Sequence, residues 1–286
     1  MLFISRKRIF YGLIMTVLMA VLLLSGCSTV GVKERISYKD VDGGCALYRY
    51  SGVSIVNELK IPDEYEGKPV VEIMRYAISS AEYLTRITIG KNVRTIHYWA
   101  ITHCPNLEEI IVDPENPYFE SHEGILYNKG MTELRIYPSA RTKLQKDSAG
   151  RITVGAEVVV PAGVTSIAET AFYLCGNLYK IQLPQGLESI GNYAFMKCEN
   201  LTELTLPSTL KTIGVDAFSY CDTLTSVIIP ASVESIGDYA FFSLYSNMSA
   251  IYLRRPPDEI SLGKDWIPNK KGQVNDKVPV LYVPAE

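Results

Sequence analysis

A nine-residue phrase recurs at a fixed interval along this chain, and the interval constrains the fold more than any other feature. The phrase reads IGNYAFMKC at residues 190 to 198. Its copies begin at Ile73, Ile96, Ile167, Ile213 and Ile236. Neighbouring copies lie 23 residues apart, except that 71 residues, three periods plus two, separate the second copy from the third. Such an interval predicts a solenoid, in which each copy forms one coil stacked on the next.

Each 23-residue unit divides into a strand, a bend and a compact turn. In the copy at residues 201–223, Leu204 and Leu206 alternate with polar residues, as expected for a strand with one buried side. Pro207 ends this strand because proline cannot donate to a strand ladder. Ile213 lies on a second short extended segment, and the following AFxxC sequence is predicted to form a short helical turn. The pattern therefore predicts a leucine-rich repeat solenoid with a β-strand and a short helical turn in every repeat.

The regular units are interrupted once and need closure at both ends. Residues 113–150 form an irregular segment, in which strands at Ile125–Tyr127 and Leu134–Tyr137 are predicted to make an inserted β-hairpin. Terminal caps are expected at residues 45–56 and 254–286, because an open solenoid end exposes core.

The first 27 residues have the pattern of a secretory signal. A basic segment at residues 6–8 precedes an apolar stretch from Ile9 to Leu24, and the sequence then reads Ser-Gly-Cys up to Cys27. This ending resembles the lipobox of bacterial lipoproteins, which implies acylation of Cys27 and cleavage before it. Acyl chains would anchor the protein to a membrane, since each buried methylene contributes about 0.8 kcal/mol.

The expected domain organisation follows from these segments. A signal peptide occupies residues 1–27, a polar linker residues 28–44, and the repeat domain residues 45–286. The expected location is the cell envelope, lipid-anchored at the outer membrane or the cell surface.

Four features together resemble the BspA-like leucine-rich repeat family of bacterial surface proteins. They are the repeat LxxLxLPxxLxxIGxxAFxxC, the opening EGKPVVEI, the interruption containing GILYNKG and IYP, and the closing LYVP. The resemblance covers about residues 45–286. It implies a curved solenoid on a cell surface, in a family associated with adhesion to host proteins and neighbouring cells.

Cysteines occupy the same slot in four of the units, which allows two interpretations. They are Cys104, Cys175, Cys198 and Cys221, and Cys45 lies outside this series. An oxidising compartment would permit a metal site or a disulfide ladder. A core column is favoured, because Ala81 and Leu244 take the same slot and because parallel side chains have poor disulfide geometry. We therefore predict buried thiols and no metal site.

Composition and motifs argue against several function classes. The formal net charge of −3, without a basic block beyond the N-terminus, disfavours nucleic-acid binding. His97, His103 and His122 lie in no recognisable catalytic or phosphate-binding motif. We expect a non-enzymatic protein without a cofactor.

The outward positions of the repeat strands form the predicted binding surface, which we call the strand face. Side chains alternate along a strand, so these positions make two columns. The first column contains Arg86, Glu109, Glu157, Lys180, Glu203 and Ser226. The second contains Thr88, Ile111, Val159, Gln182, Thr205 and Ile228. A mixed polar and apolar surface suits protein recognition, so the expected ligand is a protein, such as one on a host or neighbouring cell.

Two alternatives to a protein-binding face stay open. In the first alternative, the strand face is a solvated sheet that binds nothing. In the second, the protein binds a carbohydrate through its tyrosines and Trp266.

Overall fold

The computed structural model is a β-solenoid over the residues that it describes. These are residues 35–51, 57–141, 145–146, 148, 152–154, 156–268 and 277–284. The predicted signal peptide with Cys27, and residues 28–34 of the predicted linker, lie outside the described residues, as do parts of both predicted caps. The strands in chain order are β1 (Arg35–Val41), β2 (Gly44–Ser51), β3 (Glu58–Ile61), β4 (Glu64–Tyr65), β5 (Lys68–Ile73), β6 (Ile78–Ser79), β7 (Arg86–Ile89), β8 (Thr95–Ile96), β9 (Ile101–Thr102), β10 (Glu109–Val112), β11 (Phe119–His122), β12 (Ile125–Asn128), β13 (Glu133–Ile136), β14 (Gln145–Lys146), β15 (Ile152–Val154), β16 (Ala156–Val159), β17 (Ser166–Ile167), β18 (Leu178–Gln182), β19 (Ser189–Ile190), β20 (Glu203–Thr205), β21 (Thr212–Ile213), β22 (Ser226–Ile229), β23 (Ser235–Ile236), β24 (Ala250–Leu253), β25 (Ser261–Leu262) and β26 (Val280–Tyr282).

The first side of the solenoid contains the strands that the leucine pattern predicts. They pair in parallel within three sheets, β3–β7–β10, β16–β18–β20 and β22–β24–β26. Equivalent residues of successive coils lie opposite each other, so that Lys180 faces both Glu157 and Glu203. The predicted repeat strands are therefore confirmed, with the register that a fixed period requires.

The second side consists of short strands around the isoleucine of the repeated phrase. Strands β13, β17, β19, β21, β23 and β25 form a continuous parallel ladder, in which Ile190 pairs with Ile167 and Ile213. Strand β25 extends this ladder into the predicted C-terminal cap, because Ser261 and Leu262 pair with Ser235 and Ile236. The first half of the predicted C-terminal cap is therefore a further repeat.

The third side is built from turns and not from the short helical turns that the sequence predicts. Alternate backbone N–H groups there bond to the next coil, as Phe172 N donates to Ala194 O and Phe195 N to Ala217 O, each at 2.7 Å. Groups used between coils are not available for helical bonds within one coil. Among the described residues the single helical element is a 3₁₀ turn, Pro257–Glu259, and none of the described helices is long and apolar enough to span a bilayer.

Stacked side chains fill the space between the three sides. The rings of Tyr137, Phe172, Phe195, Phe218 and Phe241 form one column, with successive centroids 5.0, 4.8, 5.0 and 5.2 Å apart. These aromatic residues are buried, together with the leucines and isoleucines of the repeat. Each coil therefore buries its apolar residues mainly against its neighbours.

The interrupting segment contains the predicted hairpin and one strand more. Strands β12 and β13 pair antiparallel, with Tyr127 opposite Leu134, and β11 pairs with β12 on its other edge. Asn116, which is 1% exposed, fastens the segment to the preceding coil. Its side-chain amide donates to Gly90 O and Val93 O, both at 2.9 Å, and its oxygen accepts the N–H of two residues that follow it.

The predicted linker is wrong from Arg35 onward. Strand β1 pairs antiparallel with β2 and forms an N-terminal hairpin that begins at Arg35 and not at Cys45. The reason is that Ile36 and Tyr38 alternate with polar residues and pack against the core of the first coils.

Candidate binding surface

The strand face is present, but the inserted segment divides it into two parts. Next to β10 lies the turn between β11 and β12, where Ile110 N donates to Gly124 O at 2.8 Å. A Cβ on Gly124 would lie 2.8 Å from Glu109 Cβ, so the turn packs directly on the edge of the first part. The first part carries Arg86, Thr88, Glu109 and Ile111. The second part carries Lys180, Gln182, Glu203, Thr205, Ser226 and Ile228. One continuous face, which the sequence predicts, is therefore replaced by two shorter surfaces.

Ion pairs between coils engage the charged side chains of the first column. Arg86 Nε donates to Glu109 Oε1 at 2.6 Å, and Lys180 Nζ lies 3.1 Å from Glu203 Oε1. The hydrogen bond to Glu203 raises the pKa of Lys180. Exposed pairs of this kind contribute little stability, but they hold both charges in a fixed register. A partner protein would therefore meet ordered pairs of opposite charges along the first column and not isolated charges.

The second column exposes apolar side chains beside a cavity. Val159 is 65% exposed and Ile228 is 49% exposed, although both lie on strands. A cavity of about 570 Å³ lies between Thr205 and Ile228, with Pro230 and Arg254 among its lining residues. A neighbouring cavity of about 390 Å³ is lined by Lys180, Gln182 and Glu203 of the strand face, among others. Both volumes are typical of ligand-binding clefts, so the second part is the more developed of the two surfaces.

The proposed carbohydrate-binding role of Trp266 is wrong. Its side chain is only 6% exposed, and its ring packs edge-on against Phe241 at 6.4 Å. An aromatic ring enclosed in this way presents no surface to a sugar.

A different tryptophan, Trp99, lies in a cluster of partly exposed rings that the sequence reading missed. Its ring centroid is 4.8 Å from that of Tyr173, 5.3 Å from that of Tyr193 and 6.1 Å from that of Tyr76. Trp99 Nε1 donates to Glu169 Oε1 at 2.9 Å. A sequence signal existed, because Tyr76, Trp99 and Tyr193 share one slot of the repeated phrase.

The repeated cysteines are buried free thiols, as predicted for a core column. Cys198 Sγ donates to Phe172 O and Cys221 Sγ to Phe195 O, each at 3.2 Å. Burial raises the pKa of Cys104 to about 11, and it raises the pKa values of the next three thiols as well. Leu244 does not share this environment, since it is 39% exposed. Within the described ranges, no group of three His, Cys, Asp or Glu side chains is placed to hold a metal ion.

Comparisons with known proteins agree with this architecture. A family model described as the BspA type leucine rich repeat region matches residues 48–148 and 152–261 in six copies. No curated protein sequence matches significantly.

Two solved structures illustrate the likeness in fold. The pneumococcal vaccine antigen PcpA has a TM-score of 0.55 and 21% identity, over 71% of this chain and 58% of that one. A leucine rich cell surface protein from Faecalibacterium prausnitzii has a TM-score of 0.53 and 21% identity, over 73% of this chain and 59% of that one. The chain thus spans less than two thirds of either protein, and the likeness concerns the fold alone.

Proposed function

Since the chain belongs to the BspA-type leucine-rich repeat family, we propose that it is a non-enzymatic, lipid-anchored surface protein that binds another protein. The binding surface in this proposal is the second part of the strand face, from Lys180 to Ile228. The anchor is the acylated Cys27, and the location is the outer membrane or the cell surface. The partner is a protein on a host or neighbouring cell.

The observation that carries the proposal is the exposure of Ile228 beside the cavity of about 570 Å³. An apolar side chain and an adjoining hollow can receive a complementary side chain, which is how the central contacts of protein interfaces are built. The Lys180–Glu203 pair at the edge supplies a polar rim that favours one orientation of the partner. The exposed side chains of Val159 and Ile228 offer aliphatic contacts, which suit an apolar side chain of a protein better than a sugar hydroxyl.

Site-specific crosslinking in cells that produce the full chain tests the binding surface. A photoreactive benzoylphenylalanine replaces Gln182, which is exposed on the strand face. The matched control carries the same group at Thr212, which is exposed on the short strand β21 of the second side. We expect one discrete protein adduct at residue 182 and none of the same mass at residue 212. Equal adducts at both positions would show that the strand face is not the binding surface.

Purified partner recovered from that adduct allows a quantitative test. Ile228→Glu should weaken binding at least about tenfold, equivalent to about 1.4 kcal/mol, because it places a charge in the cavity. Ile111→Glu is the matched control, since Ile111 occupies the same column in the first part and is 37% exposed. Unchanged affinity for Ile228→Glu would contradict the proposal.

The anchor is tested separately by metabolic labelling with a radioactive fatty acid. Label should appear in the wild-type chain and disappear in Cys27→Ala, which should also leave the membrane fraction. Persistent labelling of Cys27→Ala would exclude Cys27 as the acylated residue.

A further inference from the structure

A separate cavity opens on the third side, where the repeat is interrupted. Its volume is about 390 Å³, within the range of small-molecule sites. The residues relevant to its chemistry are Ser80, Glu82, His103, Ser139, Tyr173 and Leu174. None of them belongs to the strand face, so any ligand here would be additional to the proposed protein partner.

The cavity exists because the interrupting segment supplies a small residue where regular coils carry a larger one. Tyr137 stacks on Phe172 at 5.0 Å and thereby takes the place of the repeat phenylalanine. Ser139, two residues later, then corresponds to Leu174 in the next coil and to Lys197 in the one after it. Ser139 Oγ turns inward and donates to Cys104 O at 2.9 Å. The space that a longer side chain would fill remains open between His103 and Leu174.

Two aromatic side chains border this space in fixed orientations. The rings of Tyr173 and His103 meet edge to face, with centroids 5.6 Å apart. Tyr173 also packs against Trp99 at 4.8 Å, and Trp99 is itself held by its hydrogen bond to Glu169. His103 Nδ1 lies 3.1 Å from Thr102 Oγ1, which orients the imidazole. The aromatic border is therefore preorganised, so that binding loses little side-chain entropy.

The polar groups at the cavity accept and donate hydrogen bonds without a positive charge. The Glu82 side chain is exposed, and no Lys or Arg is among the described residues that line the cavity. A carboxylate only accepts hydrogen bonds, whereas the hydroxyl of Ser80 both donates and accepts. An anionic ligand would be repelled by Glu82, and a purely apolar ligand would leave these groups unpaired. Hydroxyl groups suit both kinds of partner, since each hydroxyl can donate to the carboxylate and accept from Ser80.

We propose that this cavity binds a neutral saccharide. A pyranose ring combines an apolar C–H face, which packs on Tyr173, with hydroxyls that can bond to Glu82, Ser80 and His103. The volume holds one or two sugar rings at the end of a longer chain. This saccharide site lies where the repeat is interrupted, beside the Trp99 cluster, and does not involve the strand face.

Tryptophan fluorescence of the mature chain tests the site, since the chain has only two tryptophans. Trp99 touches Tyr173, whereas Trp266 is buried among C-terminal coils and serves as a constant background. The probes are maltotriose, cellotriose, mannotriose and diacetylchitobiose, with trialanine as a peptide of comparable size. We expect a saturable fluorescence change with at least one saccharide below about 10 mM, equivalent to more than about 2.7 kcal/mol of binding free energy.

Variants then assign the change to the cavity. Tyr173→Ala should weaken the response at least about tenfold and Tyr173→Phe by no more than about threefold, because the ring and not the hydroxyl provides the packing. Glu82→Gln, at an exposed position that cannot disturb the core, should also weaken it. Tyr245→Ala is the control, since Tyr245 is 63% exposed and does not line the cavity.

Three results would overturn the proposal: no saccharide response in the stated range, undiminished binding by a folded Tyr173→Ala variant, or a response to trialanine alone. Circular dichroism of each variant establishes that it is folded. Ile228→Glu should leave saccharide binding unchanged, so a failure here is distinguishable from a failure of the proposed protein-binding function.

Discussion

Replacing Gly214 with alanine should destabilise the solenoid strongly, although it adds only one methyl group. The glycine follows the core isoleucine of its coil, and its N–H donates to Ile190 O at 2.9 Å. A Cβ at this position would lie 2.6 Å from Asn192 N and 2.6 Å from Gly191 C, both backbone atoms of the preceding coil. Gly214 does not have a positive φ, so the expected effect is steric and not conformational.

The magnitude follows from the displacement that the methyl group requires. Ordinary contact begins at 3.4 Å, so the two coils must separate by 3.4 − 2.6 = 0.8 Å at this point. Such a separation lengthens the hydrogen bonds of the second and third sides and loosens the packing of Phe195 on Phe218. Overpacking of this kind costs about 1–3 kcal/mol in ordinary cores, and the rigid backbone on both sides places Gly214→Ala at about 2–4 kcal/mol. The midpoint of thermal unfolding should fall by about 5–15 °C.

Thermal unfolding followed by circular dichroism measures this difference, with Gly186→Ala as the matched control. A Cβ on Gly186 would make only one ordinary contact, 3.6 Å from Ala162 O. Gly186→Ala should therefore leave the midpoint unchanged or raise it slightly, because alanine restricts the unfolded chain. The reasoning fails if Gly214→Ala unfolds within about 1 °C of wild type, or if both variants lose the same stability.

Three further outcomes are expected. Asn116→Asp removes both amide donors from a buried site and should cost about 3 kcal/mol in urea unfolding, whereas exposed Asn106→Asp should cost less than about 1 kcal/mol. Phe195→Leu removes two ring contacts and should cost about 1–3 kcal/mol by the same measurement; no loss would contradict a role for ring stacking. Burial raises the pKa of Cys104 from 9.0 to about 11, so the stability from its neutral thiol is present below pH 9 and is lost as the pH rises toward 11. The midpoint of thermal unfolding should therefore fall above pH 9. It should fall less steeply in Cys198→Ala, because this variant lacks the Cys198 thiol, whose pKa is also raised by burial. A midpoint that does not change above pH 9 would refute this reasoning.

Repetition explains why so much of the fold was predictable from the sequence. Leu204 and Leu206 identify a strand only weakly by themselves, but the same spacing in successive units fixes the strand, its register and its buried side. The cysteine column was predictable for the same reason, since Ala81 in the shared slot indicates packing and not thiol chemistry. What one unit shows about its interior therefore holds for most of the others.

The features that escaped prediction depend on contacts between unlike segments. The division of the strand face arises because the turn at Gly124 packs on Glu109, and no period relates these two residues. The hairpin strand at Ile36 and Tyr38 packs against the first coils and has no counterpart in the repeat. The Trp99 cluster likewise needs two coils on either side of the interruption. The helical turns are a smaller feature than predicted, because only alternate N–H groups of the AFxxC sequence bond three residues back within the coil, as Tyr173 N does. The others, such as Phe172 N, bond to the next coil.

Backbone bonding from coil to coil has a consequence for how such an array can change in length. The coils at Ile190, Ile213 and Ile236 offer their neighbours equivalent backbone acceptors, a stacked phenylalanine ring and a glycine after the isoleucine. Removal of residues 191–213 would join Ile190 to Gly214, and the coils on either side would meet through contacts of the kind they already make. Gain or loss of a whole period is therefore a small evolutionary step, whereas gain or loss of a few residues within a period would put all three ladders out of register.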